Sequence, residues 1–233
     1  MFPKLKPGCK YFAVVLLVSS VYITPSFSQS KWATPAQVEG PYYPRIKPKE
    51  VDPNLLEFEG RGLPDGEPLQ LKGRIFDQNG ILIEGAKIEI WQSDNKGIYK
   101  HHKAPNYHRF DARFQGFGSF ITKKDGRYNF LTLVPVPDHK RPPHIHVKIF
   151  RAGKEILTTQ LYIKDHPENN RDGLLSLMLY PGQHKLLIDL KQATIKPGLN
   201  GKVGIFDFVI WRSSCLTKHR FFVIWRAFCL RKH

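Results

Sequence analysis

The amino-acid sequence predicts an all-β protein, an antiparallel β-sandwich with an N-terminal arm and few short helices. Two observations support this prediction: short runs of alternating apolar and polar residues begin at Leu69, and turn dipeptides separate them. With 233 residues, 41% of them hydrophobic, the chain is long enough for one all-β domain with a sizeable core.

The first strands follow from side-chain spacing. Leu69, Leu71 and Ile75 are separated by even numbers of residues, as a half-buried strand requires, and Asn79-Gly80 then predicts a tight hairpin. In the next run, Ala86–Trp91, Ile88 and Ile90 point to one face.

The remaining strands are separated by similar signals. Asp125-Gly126 is a second hairpin dipeptide. The predicted strands are Gly118–Thr122, Arg127–Leu133, His144–Phe150, Leu157–Ile163 and a closing strand at Val203–Ile210, with a brief helix near Gly173–Leu179. Six or more short strands with so little helix are typical of a sandwich.

Residues 1–28 have the pattern of a secretory signal peptide. Three lysines precede a largely apolar run, and small residues around Ser28 suit a cleavage site. The alternative is an uncleaved anchor, but the run is shorter than the roughly 20 residues that span a bilayer. We therefore expect an exported protein, periplasmic or extracellular, with no stable membrane span after cleavage.

The formal net charge of +16 raises the question of a nucleic-acid partner. Residues 1–28 contain three lysines and no acid, and residues 212–233 contain six basic residues and no acid, which leaves +7 for the middle. A modestly basic domain is compatible with attraction of anionic aromatic acids and equally with solubility alone. The sequence does not predict a nucleic-acid partner.

The chain divides into four segments. A signal peptide at 1–28 precedes a Pro- and Gly-rich arm at 29–68, and the sandwich occupies 69–211. In the basic tail at 212–233, Phe222–Arg226 repeats Phe208–Arg212, which indicates a duplicated extension without function, although a basic aromatic tail could also lie on a membrane surface. Two of the three cysteines, Cys215 and Cys229, lie in that tail, so the core does not depend on disulfides.

The sharpest chemical feature is the run Arg141–Ile149, which contains His144-Ile145-His146. On a strand, side chains alternate between faces, so His144 and His146 project to the same side while Ile145 enters the core. Two imidazoles on one face can share a metal ion, but by itself the pattern is more often solvated or hydrogen-bonded.

Five motifs occur together in order: Gly73–Asp77, Gly85–Gln92, Asp125–Phe130, Arg141–His146 and Thr159–Tyr162. Through them the region from Glu39 to Ile210 resembles the intradiol ring-cleavage dioxygenases, the catechol and protocatechuate enzymes. The resemblance implies a ferric ion held by two tyrosinates and two histidines. It assigns the histidines to His144 and His146 and the first tyrosine to Tyr107.

Two further residues are implied to act on the substrate. Arg141 matches an arginine that stabilises carbanion-like charge on the bound catechol, and Gln160 matches a glutamine that hydrogen-bonds near it. Such electrostatic stabilisation is effective in a dry, preorganised pocket. Family members often dimerise or form larger assemblies, so the resemblance also allows a homo-oligomer.

The position of the second tyrosine departs from the family pattern, because Pro135-Val136-Pro137 is followed by Asp138. Three outcomes stay open. Asp138 coordinates the metal, since Tyr, Asp and two His remain hard enough for Fe(III). Alternatively, His139, Tyr42 or Tyr43 takes the place. Finally, the site is degenerate. Carboxylate is a weaker base than phenolate by about six pKa units, so Asp138 would accept the catechol proton poorly.

The sequence therefore predicts cleavage of a catechol-type aromatic diol with O2 to a muconate-type diacid, with Fe(III) as cofactor. Tyr107, Asp138, His144 and His146 are the predicted metal ligands, and Arg141 and Gln160 are the predicted catalytic residues. The alternative is an exported sandwich protein that binds an aromatic compound or a metal without turnover.

Overall fold

The computed structural model describes residues 33–47, 51–57, 59–139, 141–175 and 183–211. Ten strands form two five-stranded sheets, and the helices of the described residues are short 3-10 turns at Tyr107–Arg109, Pro167–Arg171 and Gln183–Leu186. The predicted all-β sandwich with few short helices is confirmed. The predicted signal peptide at 1–28 and the tail at 212–233 lie outside the described residues.

The first sheet is built around one long strand, β1. β1 pairs with β4 antiparallel along one edge, and on its other edge with β9 and then β10, both parallel. β8 pairs antiparallel with β9. The strands are β1 (Pro68–Asp77), β4 (Arg127–Leu133), β8 (Leu190–Lys196), β9 (Leu199–Ile205) and β10 (Phe208–Ile210).

The second sheet has the order β3-β2-β5-β6-β7 and carries the candidate site. Its pairs are antiparallel except β6 with β7. The strands are β2 (Lys87–Trp91), β3 (Phe117–Ile121), β5 (His144–Arg151), β6 (Lys154–Ile163) and β7 (Leu187–Ile188). β2 and β5 are central neighbours, and their register sets Trp91 opposite His146.

The core lies between the two sheets and follows the predicted alternation. Leu69, Leu71 and Ile75 of β1 are fully buried, and they belong to the same apolar cluster as Ile145 and Val147 of β5. The side chains that alternate with them on β5 point to the opposite, outer face of the second sheet.

Some details of the predicted elements need correction. The closing strand at Val203–Ile210 is wrong as one element, because the chain breaks at 206–207 into β9 and β10. β8 was not predicted. The hairpin at Asn79-Gly80 forms as predicted, since Phe76 pairs antiparallel with Leu82 across it. Asp125-Gly126 forms a turn with Gly126 at positive φ, but it joins β3 of the second sheet to β4 of the first and not two paired strands. The predicted helix near Gly173–Leu179 is a turn over 173–175, and its remainder is outside the described residues.

The N-terminal arm runs from β10 of the first sheet onto the outer face of the second sheet, where Glu39 binds Lys148 of β5. The backbone N–H of Thr34 donates to Val209 O and that of Gln37 to Thr158 O, each at 2.9 Å. Farther along, Leu55 and Leu56 insert into the core with at most 1% of their surface exposed. Within the described segments, no helix is sufficiently long and apolar to cross a bilayer.

Candidate metal centre

His144 and His146 project from β5 onto the outer face of the second sheet, as predicted. Each is 3% exposed, and their Nε2 atoms are 3.2 Å apart. Nδ1 of His144 donates to the carbonyl oxygen of Pro142 at 2.7 Å, so Nε2 of His144 carries a lone pair that faces Nε2 of His146.

The tyrosine that contacts both imidazoles is Tyr99. Its hydroxyl lies 3.1 Å from Nε2 of His144 and 3.2 Å from Nε2 of His146, and the residue is 3% exposed. Three donor atoms therefore form a nearly equilateral triangle with edges of 3.1–3.2 Å.

The structure does not bring Tyr107 to this place. Tyr107 begins a 3-10 turn and is 44% exposed. The assignment of the first tyrosine to Tyr107 is therefore corrected to Tyr99. Knowledge of the strand pairing would have pointed to Tyr99. Because β2 and β5 are antiparallel neighbours, the loop that follows Trp91 and carries Tyr99 starts at the end of the sheet where β5 begins with His144.

A tight turn holds Tyr99 in position. Oδ1 of Asp94 accepts the backbone N–H groups of Lys96 and Ile98 at 2.8 and 3.0 Å. Gly97 has φ +72°, and a Cβ there would lie 2.7 Å from the carbonyl oxygen of Pro137. Glycine at this position therefore allows the Tyr99 loop to approach the segment that carries Asp138.

Asp138 is buried beside the histidines. The residue is 5% exposed, and its Oδ2 is 3.8 Å from Nε2 of His144. Paired backbone hydrogen bonds with Arg141, of 2.8 and 3.2 Å, close a turn that returns the chain into β5. The two residues before and after that turn, Asp138 and Arg141, are thereby directed to the same site.

The three residues named as substitutes for Asp138 differ in their distance from the histidines' partners. Tyr42 packs on the ring of Tyr99, with centroids 4.7 Å apart. The Tyr43 hydroxyl donates to Glu89 at 2.6 Å. His139 is exposed, with φ +47°.

Arg141 and Gln160 meet next to the triangle, as predicted. Nη1 of Arg141 donates to Oε1 of Gln160 at 2.7 Å and lies 3.3 Å from Nε2 of His144. Gln160 is held from its other end, because its Nε2 donates to Val38 O of the arm at 3.1 Å.

The protonation states favour metal binding by the histidines. Burial, followed by the Arg141 cation, lowers the pKa of His144, and burial with the neighbouring His144 and Arg141 lowers the pKa of His146 further. Both imidazoles are therefore neutral, the form that coordinates metals. Burial, with the charge and hydrogen bond of Asp138, raises the pKa of Tyr99 well above 10.0, so a bound cation is needed to ionise this phenol.

The donor set fits a first-row metal ion. Bonds of about 2.0–2.2 Å that meet at roughly 100° place donor atoms about 3.1–3.4 Å apart, which matches the triangle. Among the described residues, no group of three or more His, Cys, Asp or Glu side chains is arranged to hold a metal. His144, His146 and Asp138 therefore do not form such a group by themselves; the candidate centre is the triangle of Tyr99, His144 and His146, with the Asp138 carboxylate beside it at 3.8 Å from His144 Nε2.

A groove of about 530 Å³ opens at another surface, lined by residues 57, 60, 62–63 and 196–199. The carboxylate in its lining, Glu57, pairs with Lys196, so the groove lacks the convergent donors of the candidate centre.

The comparisons with known proteins show the family of the chain. The model of the dioxygenase family Dioxygenase_C matches residues 38–210. Catechol 1,2-dioxygenase of Acinetobacter baylyi is 29% identical over 181 residues, which cover 70% of this chain and 55% of that protein. The alpha chain of protocatechuate 3,4-dioxygenase of Pseudomonas putida is 30% identical over 66% of this chain and 82% of its own length.

Solved structures share the fold. The dioxygenase domain of a carbohydrate-binding fusion protein from Streptomyces sp. SirexAA-E superposes with a TM-score of 0.60 at 31% identity, and the match covers 76% of this chain and 97% of that domain. The chain spans about half the length of the first curated relatives it matches.

Proposed function

We propose, from the premise that the chain belongs to the intradiol ring-cleavage dioxygenase family, that it binds Fe(III) and cleaves a catechol-type diol with O2. The product would be a muconate-type diacid, because the bond between the two hydroxylated carbons breaks and each of these carbons receives one oxygen atom of O2. The observation that carries the proposal is the buried triangle of Tyr99, His144 and His146 beside Arg141.

Tyr99, His144, His146 and Asp138 would hold the iron. Phenolate and carboxylate are hard anionic donors that suit a ferric ion, and two neutral imidazoles complete the set. Asp138 is the fourth ligand because its carboxylate is buried and directed to the same site, 3.8 Å from His144 Nε2. The Tyr43 hydroxyl binds Glu89 and His139 is exposed, so neither is favoured for this place. Tyr42, which packs on the ring of Tyr99, stays the alternative to Asp138.

Ferric iron, when bound by these residues, would supply a Lewis acid that favours the deprotonated diol and activates its ring toward O2. Asp138 accepts a proton from the incoming diol at its carboxylate. Because carboxylate is the weaker base by about six pKa units, this transfer is less favourable than transfer to a phenolate. Arg141 directs its guanidinium at the place where negative charge develops on the ring, and Gln160 orients that guanidinium.

The arm excludes water from the site. A Cβ on Gly40 would lie 3.2 Å from Cε1 of His146, so the arm backbone passes directly over this imidazole. Tyr42 covers Tyr99 from the same side. A dry site strengthens the electrostatic contribution of Arg141.

The test uses iron-loaded protein and a matched pair of tyrosine variants. We expect one iron per chain, a visible tyrosinate-to-iron charge-transfer band, and O2 uptake with catechol, protocatechuate or hydroxyquinol that yields the ring-opened diacid. Tyr99→Phe abolishes the band, whereas Tyr107→Phe, the exposed control, retains it. Iron-loaded protein without a band and without O2 uptake for all three diols contradicts the proposal.

The alternative function, a catalytically degenerate binding protein, depends on Asp138 alone. It would be favoured by stoichiometric iron with no oxygenase activity, even after Asp138→Tyr restores the phenolate. Because the curated relatives in the comparison are enzymes, we favour catalysis.

Export and assembly belong to the proposal as well. We propose that cleavage after Ser28 delivers the protein to the periplasm or the exterior, which N-terminal sequencing of mature protein would test. A homo-oligomer is proposed on the family resemblance, and sedimentation of the mature chain measures it.

A further inference from the structure

Arg141 is held by a set of side chains that extends beyond the candidate metal centre. Nε donates to Oδ2 of Asp172 at 2.8 Å, and Nη2 donates to the Tyr162 hydroxyl at 2.8 Å. With Gln160 on Nη1, each nitrogen of the guanidinium has its own acceptor. A planar group bound on three sides has one orientation.

The two carboxylate oxygens of Asp172 accept hydrogen bonds from different partners. Oδ1 accepts the backbone N–H groups of Leu174 and Leu175 at 2.9 and 2.8 Å, and Oδ2 accepts from Arg141. The side chain is 2% exposed. Burial would raise the pKa of Asp172, but the hydrogen bond and charge of Arg141 outweigh it and lower the pKa, so the carboxylate is ionised.

The second support of Arg141 leads into the N-terminal arm. The Tyr162 hydroxyl accepts from Arg141 and donates to Oε1 of Gln37 at 2.9 Å. Burial, against the Arg141 cation, raises the pKa of Tyr162 to about 12, so the hydroxyl keeps the proton that this second bond requires. The Arg141 guanidinium is thus linked to β6 through Tyr162, to the arm through Gln37, and to the turn that contains Asp172.

We infer that Asp172 is a positioning residue for the proposed ring cleavage, which fixes the Arg141 guanidinium with Nη1 beside His144. The inference rests on the proposed function. The described hydrogen bonds of Asp172 go to Arg141 and to the backbone of Leu174 and Leu175, so its route to the site is through Arg141. Its contribution is orientation in advance of the reaction, because a guanidinium free to rotate must be ordered again during the chemical step.

Asp172→Asn tests this inference selectively. Asparagine keeps an oxygen for the N–H groups of Leu174 and Leu175, but its amide nitrogen cannot accept from Arg141 Nε. We expect kcat to fall about 10- to 100-fold, with KM for the diol within about threefold, because the lost interaction matters in the transition state. Iron content and the charge-transfer band of the resting protein stay unchanged.

Asp77→Asn is the matched control. Asp77 is 2% exposed and its Oδ1 likewise accepts two backbone N–H groups, of Asn79 and Ile81, but it lies in the first sheet. We expect kcat of this variant within about twofold of wild type. The double variant Arg141→Gln with Asp172→Asn should be no slower than Arg141→Gln alone, because the two residues act as one unit.

Three results would overturn the inference: an active wild type with Asp172→Asn within twofold in kcat, a rise in KM at constant kcat, or additive effects in the double variant. If Asp172→Asn does not fold, Tyr162→Phe decides: it removes the acceptor on Nη2, together with the hydrogen bond to Gln37, and should lower kcat in the same direction, while Gln37→Ala, which removes the latter bond but leaves the acceptor on Nη2, should not. A wild type that binds iron but consumes no O2 overturns the proposed function itself, and this inference with it.

Discussion

The outer face of the second sheet carries two neighbouring buried polar clusters that differ in the charges of their side chains. At one end Trp91 stands opposite His146, and in the next row of the same strand pair Glu89 stands opposite Lys148. In the second cluster opposite charges meet: Glu89 accepts from Lys47, Lys87 and Tyr43, and Lys148 binds Glu39 and Glu155. We call this second cluster the ionic clamp.

The first cluster brings together groups that do not neutralise each other. Two neutral imidazoles and a neutral phenol present their donor atoms to one point, and a cation, Arg141, stands beside them. The clamp is complete without a ligand and fastens the arm to the sheet, whereas the histidine cluster gains from a bound cation. The difference separates a cluster that stabilises the fold from the cluster proposed to bind the metal.

The largest expected effect comes from removing a donor of the metal centre. His146→Ala should reduce iron affinity and activity by more than about 100-fold, since even partners that only orient metal ligands contribute 10- to 100-fold. The unfolding free energy of the metal-free protein should change by only about 1 kcal/mol, because the packing lost against Trp91 is offset by removal of a buried Nδ1 that has no hydrogen-bond partner among the described residues. Metal analysis and urea unfolding measure the two effects; iron retained at one per chain contradicts the assignment.

Asp138→Asn should weaken iron binding about 10- to 100-fold, because the amide oxygen is a neutral donor in place of a charged one. The charge-transfer band of Tyr99 should persist with a shifted maximum. Iron titration followed by absorbance measures both. An unchanged affinity means that Asp138 lies near the metal without coordinating it.

A change in the ionic clamp should lower the stability of the fold and leave iron binding intact. Glu89→Gln removes a charge whose side chain is 1% exposed, and we expect a loss of about 1–3 kcal/mol in unfolding free energy with full iron content. The figure stays modest because Lys47 and Lys87 are 35% and 39% exposed and can turn to water. Loss of iron would contradict the separation of the two clusters.

The clamp also predicts a pH dependence. Burial would raise the pKa of Glu89, but hydrogen bonds from Lys47, Lys87 and Tyr43 lower it below the ordinary 4.5. A lowered carboxylate pKa gives stability that is fully present above about pH 4.5 and is lost as the pH falls through the folded-state value. Urea midpoints between pH 7 and pH 3 should therefore decrease less steeply in Glu89→Gln than in the wild type.

The smallest effect is expected from Gly97→Ala. The new Cβ would meet Pro137 O at 2.7 Å and displace the Asp138 segment, with an activity loss of about threefold to tenfold. Gly85→Ala is the control: Gly85 has a similar φ of +71°, but a Cβ there has no atom within 4 Å. Equal effects of the two variants would attribute the loss to backbone strain alone.

Much of the fold was predictable because strand alternation is a local property. The spacing of Leu69, Leu71 and Ile75 correctly placed a face of β1 in the core. The division of the closing segment into β9 and β10 was not predictable, because it depends on two parallel pairings with β1, a strand far away along the chain. Turn dipeptides marked where the chain reverses, but not which sheet it enters next.

By itself the sequence determined that His144 and His146 share one face of a strand, that Arg141 and Gln160 accompany them, and that Asp138 stands where a tyrosine was expected. These follow from period-two alternation and ordered motifs. Only the tertiary structure decided that Tyr99 rather than Tyr107 completes the centre, and that Asp172 holds Arg141. The physical reason is that both contacts join loops whose meeting is set by strand pairing over long sequence separations, which no local pattern encodes.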